Sequence, residues 1–148
     1  QDLFGRAQWR FVDLVLEGGA IETDGAGTLL TTRSALLSPR RNPGMTQKQL
    51  EHRLSRFMGI RRFLWLGTGR LSGDDTDGHV DTLARFCSRD TIAYVRCPDP
   101  GDPDYPGLRA MERELQAFST ARGLPYRLVP LPAPAIKIPG RFVSTGKR

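Results

Sequence analysis

Apolar periodicity in this chain switches between strand and helix in a fixed order, and it does so twice. Residues 11–16 read as a strand. Residues 21–23 form a second short extended piece, turning at Asp24-Gly25-Ala26-Gly27, and residues 28–32 return as a strand, the pattern of a hairpin with a short glycine-containing loop. Ser38-Pro39-Arg40-Arg41-Asn42-Pro43-Gly44 is a loop by its prolines and glycine. Thr46 and Gln49 then have the spacing of a capping box. Leu50, Leu54, Phe57 and Met58 supply the apolar face of the helix they open, and Gly59 is its stop. Residues 61–66 follow as a strand. The second half repeats the order: residues 79–86 extended, 91–96 a β-rich strand, 98–106 a loop rich in proline and aspartate. A helix over 107–122 places Leu108, Met111, Leu115 and Phe118 three, four and three residues apart, Gly123 ends it, and 126–131 is a strand. The pattern predicts an α/β chain of two ββαβ modules, residues 11–66 and 79–131, with a proline-rich tail over 132–148. The modules share little residue identity, so the repeat is one of pattern.

Each module carries one anomaly near its start. In the first, an apolar strand ends on Glu17, followed by Gly18 and Gly19. In the second, the run Asp74-Asp75-Thr76-Asp77-Gly78-His79-Val80-Asp81 sets four carboxylates and one of the chain's two histidines ahead of an apolar stretch. If the modules are related by rotation about an axis, Glu17, His79 and Asp81 converge on it. In a strand, residues two apart share a face, so His79 and Asp81 project together. An imidazole beside a carboxylate suits proton transfer, and carboxylates suit a planar guanidinium. The two glycines permit close approach of backbone or substrate.

Plainer readings exist for each feature. Asp74 to Asp77 is also the composition of a polar Asx turn, and Glu17 could be an ordinary strand-end carboxylate. A calcium loop fails: setting Gly78 sixth puts Gly73 first and Ala84 twelfth, where carboxylates are required. His52, between Glu51 and Arg53, reads as a solvated helix residue. Cys87 lies eight residues from His79, roughly 26 Å along a continuous strand at about 3.3 Å per residue, far beyond hydrogen-bond reach. Cys87 therefore reads as a small core residue and Cys97 as a strand-end thiol.

Composition sets the outer bounds. The 148 residues make about one domain, and 39% hydrophobic content is enough for a core. No apolar run approaches the roughly 20 residues needed to cross a bilayer, and no secretory signal is visible at Gln1, so the expected setting is the cytoplasm. Two cysteines without a CxxC pair argue against structural zinc. The net charge of +6 raises nucleic-acid binding as a question. The arginines are scattered through every segment, however, and no basic block alternates with aromatics, which disfavours it.

The segment Leu16-Glu17-Gly18-Gly19-Ala20-Ile21-Glu22-Thr23-Asp24-Gly25-Ala26-Gly27-Thr28-Leu29-Leu30-Thr31-Thr32 resembles the agmatine deiminase and bacterial peptidyl-arginine deiminase family. So do Asn42-Pro43, Trp65-Leu66 and Gly73 to Asp81. The likeness runs from about Asp13 to Pro134, with its blocks in order. It implies the pentein α/β propeller, five ββαβ modules around a pseudo-fivefold axis, of which about two stand here. It also implies hydrolysis of a guanidinium to a ureido group and ammonia through a cysteine thiouronium intermediate, with no metal or organic cofactor. By the same likeness Glu17 is the active-site glutamate that orients substrate and assists the histidine, His79 is the general acid and base, and Asp81 binds the guanidinium. Asp75 and Asp77 have a supporting, pocket-lining role.

The departures are a glycine-rich segment ending His-Cys, which carries the family's nucleophile, and an upstream Arg-Asp-Thr-Gly-Pro stretch. Neither occurs in this sequence. The expectation is therefore the central portion of a deiminase, inactive alone, meeting further propeller modules or a copy of itself, with agmatine or an arginine-like guanidinium as substrate. The rival is a noncatalytic basic α/β module that binds nucleic acid or a protein partner.

Overall fold

The computed structural model of the chain describes residues 11–133. Two three-stranded sheets are built the same way. The first contains β1 (Ile21–Thr23), β2 (Thr28–Thr32) and β3 (Arg62–Leu66) in that order. β1 pairs antiparallel with β2, setting Ile21 opposite Thr31, and β2 pairs parallel with β3, setting Leu30 opposite Leu64. The second contains β4 (Ala84–Ser88), β5 (Thr91–Arg96) and β6 (Arg127–Pro132), again antiparallel then parallel, with Ala84 opposite Tyr94 and Tyr94 opposite Pro130. In each unit a helix makes the parallel crossover. The proline-rich tail beyond residue 133 lies outside the described residues.

The local chemistry explains most boundaries. A short helix α1 (Arg33–Leu36), absent from the sequence reading, starts where Thr32 accepts the Ala35 amide. Helix α2 (Gln47–Met58) opens on the anticipated capping box, with the Thr46 hydroxyl accepting the Gln49 amide at 3.3 Å and the Gln49 side chain accepting the Thr46 amide at 2.8 Å. Gly59 closes it at φ 69°, a conformation costly for any residue with a Cβ. Only the Leu50–Leu54 part of the expected apolar face is buried, since Phe57 and Met58 are exposed.

Helix α3 (Tyr105–Ala117) is shifted towards the N-terminus relative to expectation. It starts with Pro106 in its first turn, where a missing N–H costs nothing. It ends when Phe118 goes extended and Ser119 pairs with Pro125, while the Thr120 hydroxyl accepts the Arg122 and Leu124 amides. That local hydroxyl-to-backbone bonding competes with helix. Gly123, at φ 78°, belongs to this turn and not to the helix end.

Two expected strands are corrected. Residues 11–16 join no sheet. Their alternation is real, with Val12, Leu14 and Leu16 half-buried and Phe11, Asp13 and Val15 exposed. The backbone there is held by a side chain, however: Asn42 Oδ1 accepts the Val15 amide at 3.0 Å and Asn42 Nδ2 donates to the Val15 carbonyl at 3.1 Å. Residues 79–86 are not one extended run either. His79 precedes a 3-10 turn, Val80–Thr82, and the strand begins at Ala84. The continuous strand behind the 26 Å distance to Cys87 therefore does not exist.

β2 is buried along its length and separates two cores. Leu29 points into a cluster with Leu36, Leu50, Leu54 and Trp65. Its neighbour Leu30 points the other way, into a cluster with Leu64, Leu66, Ile92, Tyr94, Leu108 and Met111 that both sheets share. Each buried leucine contributes about 1.5–3 kcal/mol, so the shared core fixes one unit against the other. Glu22 of β1 adds a polar link, accepting the Phe86 amide at 3.1 Å and pairing with Arg85 at 2.6 Å. Among the described residues, no helix is long and apolar enough to cross a membrane.

Candidate active site

Glu17 sits where the chain turns from the Asn42-held segment into a 3-10 turn, Gly18–Ala20. The turn is pinned by the Ala20 amide to Glu17 carbonyl bond at 3.0 Å and by the Thr31 hydroxyl donating to the Ala20 carbonyl at 2.7 Å. The two glycines differ. A Cβ on Gly18 would meet nothing within 4 Å, whereas one on Gly19 would lie 2.5 Å from His79 Nδ1 and 2.7 Å from Asp81 Oδ2. Gly19 is thus the floor on which His79 and Asp81 rest.

The opposing loop is shaped by Asp74. Its Oδ1 accepts the Thr76 amide at 2.9 Å and its Oδ2 the Gly78 amide at 2.8 Å. The chain then passes through two left-handed residues, Asp77 at φ 63° and Gly78 at φ 86°. Aspartate is among the few non-glycine residues that tolerate this region. The Thr32 hydroxyl donates to the Gly78 carbonyl at 2.6 Å, tying the loop to the end of β2. His79 follows, its amide bonded to the Thr76 hydroxyl at 3.0 Å. Buried Val80 and Leu83 anchor the turn behind it.

These two segments meet. His79 Nε2 lies 2.5 Å from Glu17 Oε2, and the same oxygen accepts from Arg41 Nε at 2.7 Å. Arg41 Nη1 donates to Asp77 Oδ2 and Nη2 to the Thr76 carbonyl, each at 3.0 Å. The His79 and Arg41 side chains are 15% and 13% exposed, Glu17 and Asp77 39% and 38%. The imidazole and the guanidinium are sheltered and the two carboxylates face outward. Hydrogen bonds from His79 first, and Arg41 second, hold the Glu17 carboxyl below its usual range, outweighing its burial. The bond to Glu17 is the main reason the Arg41 guanidinium is raised in turn.

The structure brings Glu17, His79 and Asp81 together around Gly19, although His79 precedes a 3-10 turn that contains Asp81, and neither is in a strand. Asp77 joins through Arg41. Exposed Asp75 does not contact the pair. With Asp74 and Asp77 it lines an adjacent open cleft of about 980 Å³ that also carries Arg33, Arg40 and Arg70. Cys97 is 3% exposed within the shared core, and Cys87 lies exposed on β4. Among the described residues, no group of three or more His, Cys, Asp or Glu side chains could hold a metal ion. Arg41 escaped the sequence reading. Its signal was a guanidinium directly before Asn42-Pro43, in a loop recognised only by its prolines and glycine. What remains is a paired imidazole and carboxylate with a second exposed carboxylate beside them, suited to hold a cation and move protons.

The sequence profile described as Porphyromonas-type peptidyl-arginine deiminase matches residues 1–146. A Vibrio parahaemolyticus protein named "Putative agmatine deiminase" is 42% identical over 133 residues, covering 90% of this chain and 36% of its own. The crystal structure of the "Putative Arginine Deiminase from Porphyromonas gingivalis" superposes with a TM-score of 0.83 at 52% identity, over 86% of this chain and 38% of that one. A cysteine-to-serine agmatine deiminase from C. jejuni with substrate bound gives 0.75 at 40% identity, over 83% and 35%. The chain spans about a third of the length of the curated relatives it matches. Over that third it is similar to them in sequence and in α/β fold, and it belongs to the Porphyromonas-type peptidyl-arginine deiminase family.

Proposed function

We propose that this chain is the portion of a guanidinium deiminase that supplies the acid–base pair and part of the guanidinium cradle. Asp81 accepts the guanidinium N–H groups of substrate. Glu17 orients the same group and holds the His79 ring. A cysteine thiolate outside this sequence attacks the guanidinium carbon. His79 gives a proton to the departing nitrogen, ammonia leaves, and a thiouronium remains. His79 then takes a proton from water, whose oxygen adds to the same carbon; the remaining hydroxyl proton passes to solvent as the ureido carbonyl forms and the thiolate departs. Agmatine would give N-carbamoylputrescine, on a route to putrescine, and peptidyl-arginine would give citrulline. In this reading residues 11–66 and 79–131 are two modules of a five-module propeller, and its axis passes by Gly19.

The observation that carries the reading is the 2.5 Å contact of Glu17 with His79, made beside an exposed Asp81 over a glycine that leaves them room. Ammonia release from agmatine and from a peptidyl-arginine substrate tests it in the full-length protein. Activity is expected there and lost in His79→Ala, while the 148-residue chain alone turns over neither. Turnover by this chain that depends on Cys87 or Cys97 would overturn the placement of the nucleophile.

A further inference from the structure

We propose that Arg41 is the positioning residue of this site: one guanidinium orients the Glu17 carboxylate towards His79 and fastens the Glu17 segment to the loop that delivers His79. A carboxylate free to pivot can offer either oxygen to an imidazole. Here Oε2 is shared by His79 Nε2 at 2.5 Å and Arg41 Nε at 2.7 Å, which removes that freedom. The rest of the planar fork reaches Asp77 Oδ2 and the Thr76 carbonyl. The acceptors on the two segments are thus held by one rigid group. A lysine has a single ammonium and cannot span them. Asn42, 3% exposed, grips the Val15 backbone on both sides and also donates to the Leu36 carbonyl. The dipeptide Arg41-Asn42 therefore holds the Glu17 segment twice, by side chain and by backbone two residues earlier. At 13% exposure the Arg41 side chain is scaffold, not a group free to swing away.

The consequence for catalysis rests on the deiminase reading, but the geometry does not, and the experiments separate them. In protein labelled with ¹³C at glutamate side chains, Glu17 is expected to titrate at higher pH in Arg41→Gln than in the parent. Arg41→Lys should fall between. An unchanged Glu17 titration in a folded Arg41→Gln would overturn the proposal. Should that variant fail to fold, the Arg41 Nε–H decides. Its hydrogen exchange is expected to be at least about tenfold faster in Glu17→Gln than in the parent, and equal rates would overturn the proposal. In the full-length deiminase, Arg41→Lys is expected to lower kcat about tenfold or more with little change in KM, as for a misaimed acid–base pair. Equal loss in both, with a lowered melting temperature, would contradict positioning. If Glu17 responds as predicted and the full-length protein releases no ammonia, Arg41 keeps this role and the deiminase reading falls.

Discussion

Two glutamates in this molecule each bind an arginine and one further side chain, in very different surroundings. Glu112 on α3 accepts the Tyr94 hydroxyl at 2.5 Å, pairs with Arg109 one turn away, and lies 3.7 Å from Arg96. Glu17 accepts an imidazole and a guanidinium. Both carboxyls sit below their usual range. For Glu112, burial opposes this, and the hydrogen bonds of Tyr94 and Arg109 prevail. The difference is access and origin. The Glu112 side chain is 7% exposed, and its partners come from its own unit, against the shared core. The Glu17 side chain is 39% exposed, and its partners come from two other loops. A shifted carboxylate alone does not distinguish chemistry from architecture. What sets Glu17 apart is an open face, an imidazole partner from another loop and a neighbouring glycine that leaves room beside it.

That contrast can be broken most forcefully at His79. His79→Ala in the full-length protein is expected to cut ammonia release by about 10²–10⁴-fold, the usual worth of a general acid–base group, with only a small fall in thermal melting from the lost Glu17 bond. Glu112→Gln should leave kcat alone. Gly19→Ala comes next. Its Cβ would fall 2.5 Å from His79 Nδ1, and misplacing a catalytic group by about 1 Å costs on the order of 10²-fold in rate. Steady-state kinetics should show that loss without a comparable loss in urea stability. Removing Glu112 should do the reverse. Glu112→Ala leaves a buried tyrosine hydroxyl and a cation without their acceptor, and is expected to cost about 2 kcal/mol in urea unfolding.

The smallest expected effects are in pH. A carboxyl held below its usual value contributes stability above that value, and the contribution fades as pH falls through the lowered one. Glu17 and Glu112 should both weaken the fold below about pH 4.5. Tyr94 acts oppositely. Burial first, and the bond to Glu112 second, push its hydroxyl up to about 12 from 10.0. Its contribution is complete below pH 10.0 and is lost as pH rises towards 12. Melting curves between these limits should show that alkaline loss shrink in Glu112→Gln and persist in Glu17→Gln.

How far the sequence revealed this molecule depends on where its information lies. The Thr46–Gln49 box, the Gly59 stop and the first hairpin were legible because their causes are local. β2 was recovered residue for residue because one run of apolar and threonine side chains is buried on both faces. Residues 11–16 misled because alternation reports burial, not pairing, and the atoms that occupy their backbone belong to Asn42, 27 residues away. The end of α3 was missed because Thr120 offers the backbone a competing hydroxyl. At the site, the glycines and the acidic run pointed to residues that do lie together, through a wrong premise, a strand that is in fact a 3-10 turn. Arg41 was invisible because its meaning depends on acceptors 24 and 36 residues distant.

The most direct test of the central claim is a crystal structure of the full-length protein with a guanidinium ligand bound and the proposed nucleophilic cysteine replaced by serine. The ligand's planar group should lie against His79 with its N–H groups on Asp81 and Glu17. A guanidinium found instead in the neighbouring cleft beside Asp75, with Glu17 and His79 untouched, would contradict it.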